Sequence, residues 1–412
     1  MAASLIILLG SEVYMNYREK IRNQLIFTGL AIPLGIAAGS IAALFGRILL
    51  YIGNIRDEYV YFLLPFLGAV GVFILWSYQK FGDRSSKGMA LLFEAGHGSK
   101  ETIPLRLIPF VIIGTWLTHL FGGSAGREGV AVQIGGALGH TLGRRFSIES
   151  GEKILLLTGM AAGFSGLFRT PLAATFFALE VLTVGVLEYK ALLPALTAAF
   201  TASYISGALG LEKFSYVLSK NFSFSPSLLF KILFLGFLFG IMGRLFSYFL
   251  HRTKKLFSEK LKNPLLRILI AGTAIGLFSL LCFQGRYSGL GTNLISMSLN
   301  EGIYSWDFAF KFLFTVLTLS AGFQGGEVTP LFSIGATFGA FLASLLGLPI
   351  AFSAALGYAA VFGSASNTLL APILIGAEVF GPEMLPYFIA VCGLAYICNG
   401  NLSIYPLQKK KK

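Results

Sequence analysis

Two short glycine-bounded stretches hold the residues with the most chemistry to offer. In "HLFGGSAGREGVAVQIGG", residues 119–136, Glu128 sits among glycines with apolar sequence on both sides. In "GGEVTPLFSIG", residues 325–335, Glu327 holds a similar place. A charge deep in a bilayer costs at least about 3 kcal/mol on insertion scales. A helix start returns part of that, because unpaired N–H groups and the helix dipole favour negative charge. A carboxylate there also occupies the position where an anion would bind. It can act as an anion mimic, take up a proton and swing away, which is a gate linked to protonation. The plainer alternative is an acid that only stabilises its helix.

Other chemistries find little support. The four histidines, His97, His119, His140 and His251, are scattered and form no metal set with the cysteines. There is no HExxH pair and no His/Asp cluster, so no cofactor, metal or enzyme activity is expected. Cys282, Cys392 and Cys398 lie in apolar surroundings and read as small buried hydrophobes.

The elements that must position the two acids are membrane helices. The chain is 55% hydrophobic and only 12% charged, about half the charged fraction of a soluble domain. Stretches 24–52, 59–79, 104–121, 190–209, 229–250, 264–283 and 384–398 approach the length of a spanning helix. Others, 129–142, 154–167, 171–186 and 330–347, are short or broken by Gly and Pro. Short, interrupted segments suggest tilted or partial helices lining a polar pathway. The net charge of +13 lies at "NYREKIRN", Lys80–Lys87, Arg144–Arg145, "HRTKKLFSEKLK" (251–262) and the terminal "QKKKK". That placement follows the positive-inside rule, so the termini and the 251–262 loop are expected in the cytosol, and nucleic acid is not an expected partner. The first residues read as part of a peripheral N-terminal helix. The chain stops soon after Tyr405, so no cytosolic regulatory domain is expected.

A polar stretch, 210–227, divides the chain into two hydrophobic halves. A shift of 200 aligns "GREGVAVQIGGALG" (126–139) with "GEVTPLFSIGATFG" (326–339), matching Gly126, Ile134, Gly135 and Gly139 to Gly326, Ile334, Gly335 and Gly339. "TPLAATFFALEV" (170–181) echoes "LAPILIGAEVF" (370–380) at nearly the same shift. Repeats in transporters are often inverted, with the substrate site at their interface.

These motifs resemble the CLC anion channels and antiporters. "GREGVAVQ" is similar to the family's G-K/R-E-G-P motif, "GGEVTPLFSIG" stands where G-x-F-x-P occurs, and "GNLSIYPLQ" (400–408) resembles the final helix that brings a tyrosine to the anion site. The departures point to the fluoride-exporting branch, CLC-F. Met89, in "KGMALLFEAGHG", takes the place of the chloride-contacting serine, and "FALEVL" puts Glu180 at the first acid of an EE pair and Val181 at the second. The proton route of the chloride antiporters therefore does not carry over.

The resemblance implies an all-α polytopic membrane protein with the CLC-type fold. It would have two inverted-topology repeats with short, tilted and broken helices, in one domain spanning 1–412, with repeats of about 20–209 and 228–408. It implies Glu128 as a moving gate, with Glu327 also needed for coupling. Met89, Gly126, Arg127, Gly129, Val328, Thr329 and Tyr405 would bind the anion or line its path. Thr329 and Tyr405 offer hydroxyl donors to a small, strongly hydrated anion. Thr329 alone would read as a helix cap, Tyr405 as an interfacial anchor and Met89 as packing. Glu180 reads as structural, bonding backbone groups of the other half. The expected function is fluoride/proton antiport that exports fluoride, in a homodimer in the plasma membrane, with anionic lipid near the basic tail. A chloride channel, a chloride/proton antiporter or an uncoupled fluoride channel on the same fold are the alternatives.

Overall fold

The computed structural model describes residues 2–410, apart from 100, 147, 149, 219–224, 282 and 301, with side chains from residue 18 onward. Lys411, Lys412 and Cys282 thus lie outside the described residues. The chain is almost entirely helical. Its first half contains α1 (Ala2–Glu58), α2 (Val60–Leu63), α3 (Leu67–Ser77), α4 (Met89–Gly96), α5 (Leu107–Leu120), α6 (Glu128–Arg145), α7 (Gly151–Phe168), α8 (Pro171–Glu180) and α9 (Leu192–Ala208). The second half contains α10 (Pro226–Lys260), α11 (Pro264–Leu281), α12 (Thr292–Leu299), α13 (Asp307–Ala321), α14 (Val328–Leu346), α15 (Ile350–Ser366), α16 (Leu370–Phe380) and α17 (Leu385–Cys398). Among the described residues, six helical stretches are long and apolar enough to cross a membrane. The molecule is a multi-pass membrane protein.

Burial separates two kinds of helix. The most apolar windows of the α1, α10 and α11 spans are only 33–39% buried, against 78% for α14. The former lie on the lipid side and the latter at the centre. The centre is built from two hairpins, α6 with α7 and α14 with α15. Glycine makes each one possible. A Cβ on Gly135 or Gly159 would lie 2.0 Å from the other's carbonyl oxygen, and one on Gly139 would lie 2.0 Å from that of Leu155. The second hairpin repeats this: Gly335 and Gly357 meet the same way, and Gly339 meets the Ser353 carbonyl. Backbones this close pack tightly without any hydrophobic driving force between helices.

The echo found at a shift of 200 is physical. Gly126 and Gly326 form an antiparallel bridge, N–H to O at 2.6 and 2.8 Å. A second reciprocal contact joins the halves at α8 and α16. The Glu180 carboxylate accepts the N–H groups of Leu369, Leu370 and Ala371 at the start of α16, at 2.8–3.1 Å. The Glu378 carboxylate accepts those of Leu172 and Ala173 at the start of α8, at 3.1 and 2.9 Å. Each acid fills the unpaired N-terminal donors of the partner helix. Glu180 therefore has the structural bonding role expected of it.

Four expectations need correction. The basic stretch 251–262 is not a loop, because α10 continues through it to Lys260; its Lys, Arg and Leu are good helix formers, and no Gly or Pro intervenes before Pro264. The N-terminal stretch is not a separate peripheral helix, since no break divides it from the first span. Residues 399–410 do not form a final helix. Gly400 and Asn401 take positive φ, Pro406 follows Tyr405, and Lys409–Lys410 form a two-residue strand beside Thr183–Val184. Finally, α13, α15 and α16 were missing from the expected spans: Lys311 and Ser/Gly residues dilute the first two, and α16 has only 11 residues.

Candidate functional site

The site is assembled where α6 and α14 start. The loop before α6, residues 121–127, is fixed from several sides. His119 Nδ1 and Nε2 lie 2.8 and 2.9 Å from the carbonyls of Thr115 and Ala125, and the ring donates to whichever of them faces its N–H. Ser124 N–H donates to Thr318 Oγ1, and the Ser124 and Thr315 hydroxyls share a bond. Beneath them is Lys311, fully buried in α13. Its Nζ donates to Ser124 Oγ, the Tyr287 carbonyl and the Gly289 carbonyl, at 2.8, 3.0 and 2.8 Å. Three acceptors saturate an ammonium, so Lys311 is a clasp and not a base. The same contacts remove Ser124 from consideration as a nucleophile.

Glu128 is the first residue of α6 and is fully buried. Its side chain turns away from its own helix and lies across the start of α14. Oε2 accepts the backbone N–H of Thr329 at 2.8 Å and that of Arg127 at 3.1 Å, while Oε1 accepts the Thr329 hydroxyl. Thr329 is the second residue of α14, where N–H groups have no partner within the helix. Pro330, next in the first turn, has no N–H to leave unpaired. The carboxylate thus fills a helix N-terminal anion position in the opposite repeat.

The glycines allow this approach. A Cβ on Gly126 would lie 2.7 Å from Glu128 Oε2, and one on Gly326 would lie 2.9 Å from the Gly129 nitrogen. Val328 opens α14 and is buried, one residue before the Thr329 that Glu128 engages. Arg127 is 7% exposed. Its Nε stands 3.9 Å from Glu128 Oε1 and its guanidinium 5.8 Å from the Phe168 ring centre.

The other expected residues sit on the flanks. Glu327 caps α14 but is only half-buried, and its side chain does not reciprocate on α6. Tyr405 is buried, with its ring 5.4 Å from Phe93 of α4 and 6.3 Å from Phe177 of α8. His251 holds the segment before it through the Ser403 carbonyl, at 2.7 Å. Met89 is the first residue of α4, after Gly88 at φ +54, so Met89 and Tyr405 are joined through one short helix. His97 ends α4 and bonds the Leu182 carbonyl. Cys392 and Cys398 are free thiols, and no metal-type cluster occurs among the described residues.

Sequence reasoning missed Lys311, Ser124, His119, Glu378 and Tyr358. For Glu378 a signal existed: it lies 198 residues after Glu180, close to the repeat shift. Tyr358 of α15 is buried, with its ring stacked on Phe332 at 4.0 Å.

Comparison with known proteins agrees with this architecture. The family described as "Voltage gated chloride channel" matches residues 70–400. A "Chloride/fluoride channel protein" of Pseudomonas syringae pv. tomato is 38% identical over 92% of this chain and 85% of its own length. An "H(+)/Cl(-) exchange transporter" of Vibrio cholerae is 24% identical over 82% and 76%. Among solved structures, a CLC-type fluoride/proton antiporter superposes with a TM-score of 0.92 at 52% identity, covering 94% of this chain and 98% of that one. A slow cyanobacterial Cl−/H+ antiporter superposes at 0.79 with 21% identity, over 93% and 96%.

Proposed function

The chain belongs to the voltage gated chloride channel family, and we propose that it is a fluoride/proton antiporter that moves fluoride out of the cytoplasm. One observation carries the reading. The Glu128 carboxylate is held by the Thr329 N–H, the Thr329 hydroxyl and the start of α14, the donor set that a permeating anion needs. Acid and anion compete for one position. When ionised, Glu128 closes the path. When protonated, it loses the charge that binds it to the helix dipole. An anion then takes its donors, and the acid leaves carrying a proton. Each exchange at that position links anion movement to protonation.

Fluoride as the anion is supported by the 52% identity with a fluoride/proton antiporter over nearly the whole chain. Met89 agrees with it, since a thioether offers no strong donor. Tyr405 and Thr329 supply the hydroxyls that repay a hard anion for its lost water. Glu327 serves as a second protonatable group on the Tyr405 side, and Gly126, Gly129, Arg127 and Val328 shape the passage around the gate. Proton entry drives fluoride export. The single domain comprises two repeats, about 20–209 and 228–408, and works as a homodimer in the plasma membrane with both termini in the cytosol, as the basic α10 end and tail support. It performs transport and no catalysis.

The test is paired measurement of halide and proton flux from proteoliposomes. A fluoride gradient should drive uphill proton movement, and chloride should pass far more slowly. Chloride flux equal to fluoride would reject the selectivity. Fluoride flux without protons would reject the exchange.

A further inference from the structure

A groove between α3 and α5 is apolar along its length and basic at one end. Phe73 of α3, Tyr78 and Phe81 of the helical turn after it (Tyr78–Gly82), and Phe110, Ile113 and Leu117 of α5 enclose about 260 Å³. Phe73, Phe81 and Ile113 are each about half exposed, so the groove opens on the side of the molecule that faces lipid. Ser77 in its wall donates back to the Phe73 carbonyl at 2.8 Å, which leaves hydrocarbon as the matching filler.

The basic end is built on Phe81. Lys80 Nζ lies 5.3 Å from the Phe81 ring centre and 5.2 Å from that of Trp76. Arg106, capping α5, donates to the Phe81 carbonyl at 3.4 Å. Both cations are exposed. Lys87 and Arg84 take the nearby carboxylates of Glu94 and Glu101. Among the described residues, neither Lys80 nor Arg106 forms an ion pair, with Asp83 or any other acid. With the basic ends of the chain in the cytosol, α1 runs outward and α3 returns, so both cations lie at the inner leaflet, where anionic headgroups gather.

The walls of the groove also hold the loop before α14. A Cβ on Gly114 of α5 would lie 2.9 Å from Gln324 Cγ, and one on Gly71 of α3 would lie 2.6 Å from the Phe323 ring. Phe323 and Gln324 thus fill glycine notches in the two walls, just before Glu327 caps α14.

We propose that the groove binds an anionic phospholipid of the inner leaflet, with one acyl chain between α3 and α5 and the phosphate on Lys80 and Arg106. The filled groove braces Phe323 and Gln324, so that α14 starts where Glu128 meets it. This effect on transport rests on the fluoride/proton reading; the binding does not. A zwitterionic lipid fills the groove with the same chain but brings a cation of its own to the two basic residues.

The test uses the detergent-purified full chain with phosphatidylglycerol and phosphatidylcholine of identical acyl chains. Native mass spectrometry reads the lipid retained by wild type, by the double variant Lys80→Gln with Arg106→Gln, and by Ile113→Trp, which fills the groove and keeps both cations. One basic residue near an anionic surface is worth about fivefold in affinity, so the double variant should hold phosphatidylglycerol about 25-fold less tightly. It should hold phosphatidylcholine as wild type does, and Ile113→Trp should lose both lipids. Equal retention of the two lipids by wild type would overturn the site. So would phosphatidylglycerol affinity within twofold of wild type in the double variant, or full retention in Ile113→Trp. In proteoliposomes, adding phosphatidylglycerol to phosphatidylcholine should raise fluoride flux through wild type and not through the double variant. A wild-type flux indifferent to phosphatidylglycerol, or a double variant that still responds, would overturn the bracing role. Absence of fluoride flux through wild type in either lipid would instead overturn the transport reading and leave the binding result standing.

Discussion

At the residue scale, the telling contrast is between two glutamates at matching helix starts. Glu128 reaches across to α14, whereas Glu327 stays half-buried at its own cap. The repeat shift places Val328 opposite Glu128, so the second half has no acid to return the contact. This asymmetry leaves one carboxylate that crosses between the repeats, and the proposed gate is that one. Glu128→Gln keeps the volume and removes the titrating charge. Fluoride should still move, with no accompanying protons; a fluoride electrode read alongside internal pH would show it, and preserved proton movement would contradict the gate role. Thr329→Val removes the hydroxyl that holds the acid and that, in the proposed cycle, the anion takes over. The KM for fluoride should rise about tenfold, as expected for one hydrogen bond to a charged group, and an unchanged KM would count against anion contact at Thr329. Both residues were readable in the sequence because glycines and a helix start mark them locally. Lys311 and Tyr358 were not. Each sits in an apolar helix, and their partners come from loops and helices remote in the chain.

At the element scale, the glycine hairpins determine how near the two helix starts can come. The pattern of Gly135 and Gly139, repeated at Gly335 and Gly339, was visible in the sequence, but its meaning was not. Only the fold reveals that Gly159 and Gly357 face them from α7 and α15. Gly159→Ala would push a methyl carbon to 2.0 Å from the Gly135 carbonyl oxygen, which only a shift of the helices can relieve. Overpacking of this kind typically costs about 1–3 kcal/mol. The variant should melt several degrees below wild type in detergent, followed by intrinsic tryptophan fluorescence. Gly53→Ala, in α1 with open space at its Cβ position, supplies the comparison and should melt like wild type. The missed boundaries have their own physical cause. The α10 extension is basic and polar, so composition favoured a loop where helix propensity prevailed. The tyrosine segment lost its expected helix to Gly400, Asn401 and Pro406.

At the scale of the molecule, every group placed at the gate comes from a single chain. Glu128 and Arg127 belong to one repeat and Thr329 to the other, and the two repeats meet through Gly126 and Gly326 and through the paired caps of Glu180 and Glu378. Each of these contacts is made within one chain. The proposed dimer therefore brings together two complete pathways. The helices linked to α8 and α16 present an apolar outer face, with Leu193, Phe200 and Tyr204 exposed on α9 and Ile389 and Ile397 on α17. A dimer formed there would leave both gates intact, since α6 and α14 lie inside each chain. Mixing wild-type subunits with subunits carrying a transport-dead gate should then reduce fluoride flux in direct proportion to the dead fraction. A steeper, squared fall would mean that one dead subunit silences its partner, so the pathway would have to include contacts across the interface. The mixing curve, measured at constant total protein per vesicle, separates these outcomes without any assumption about which halide is carried.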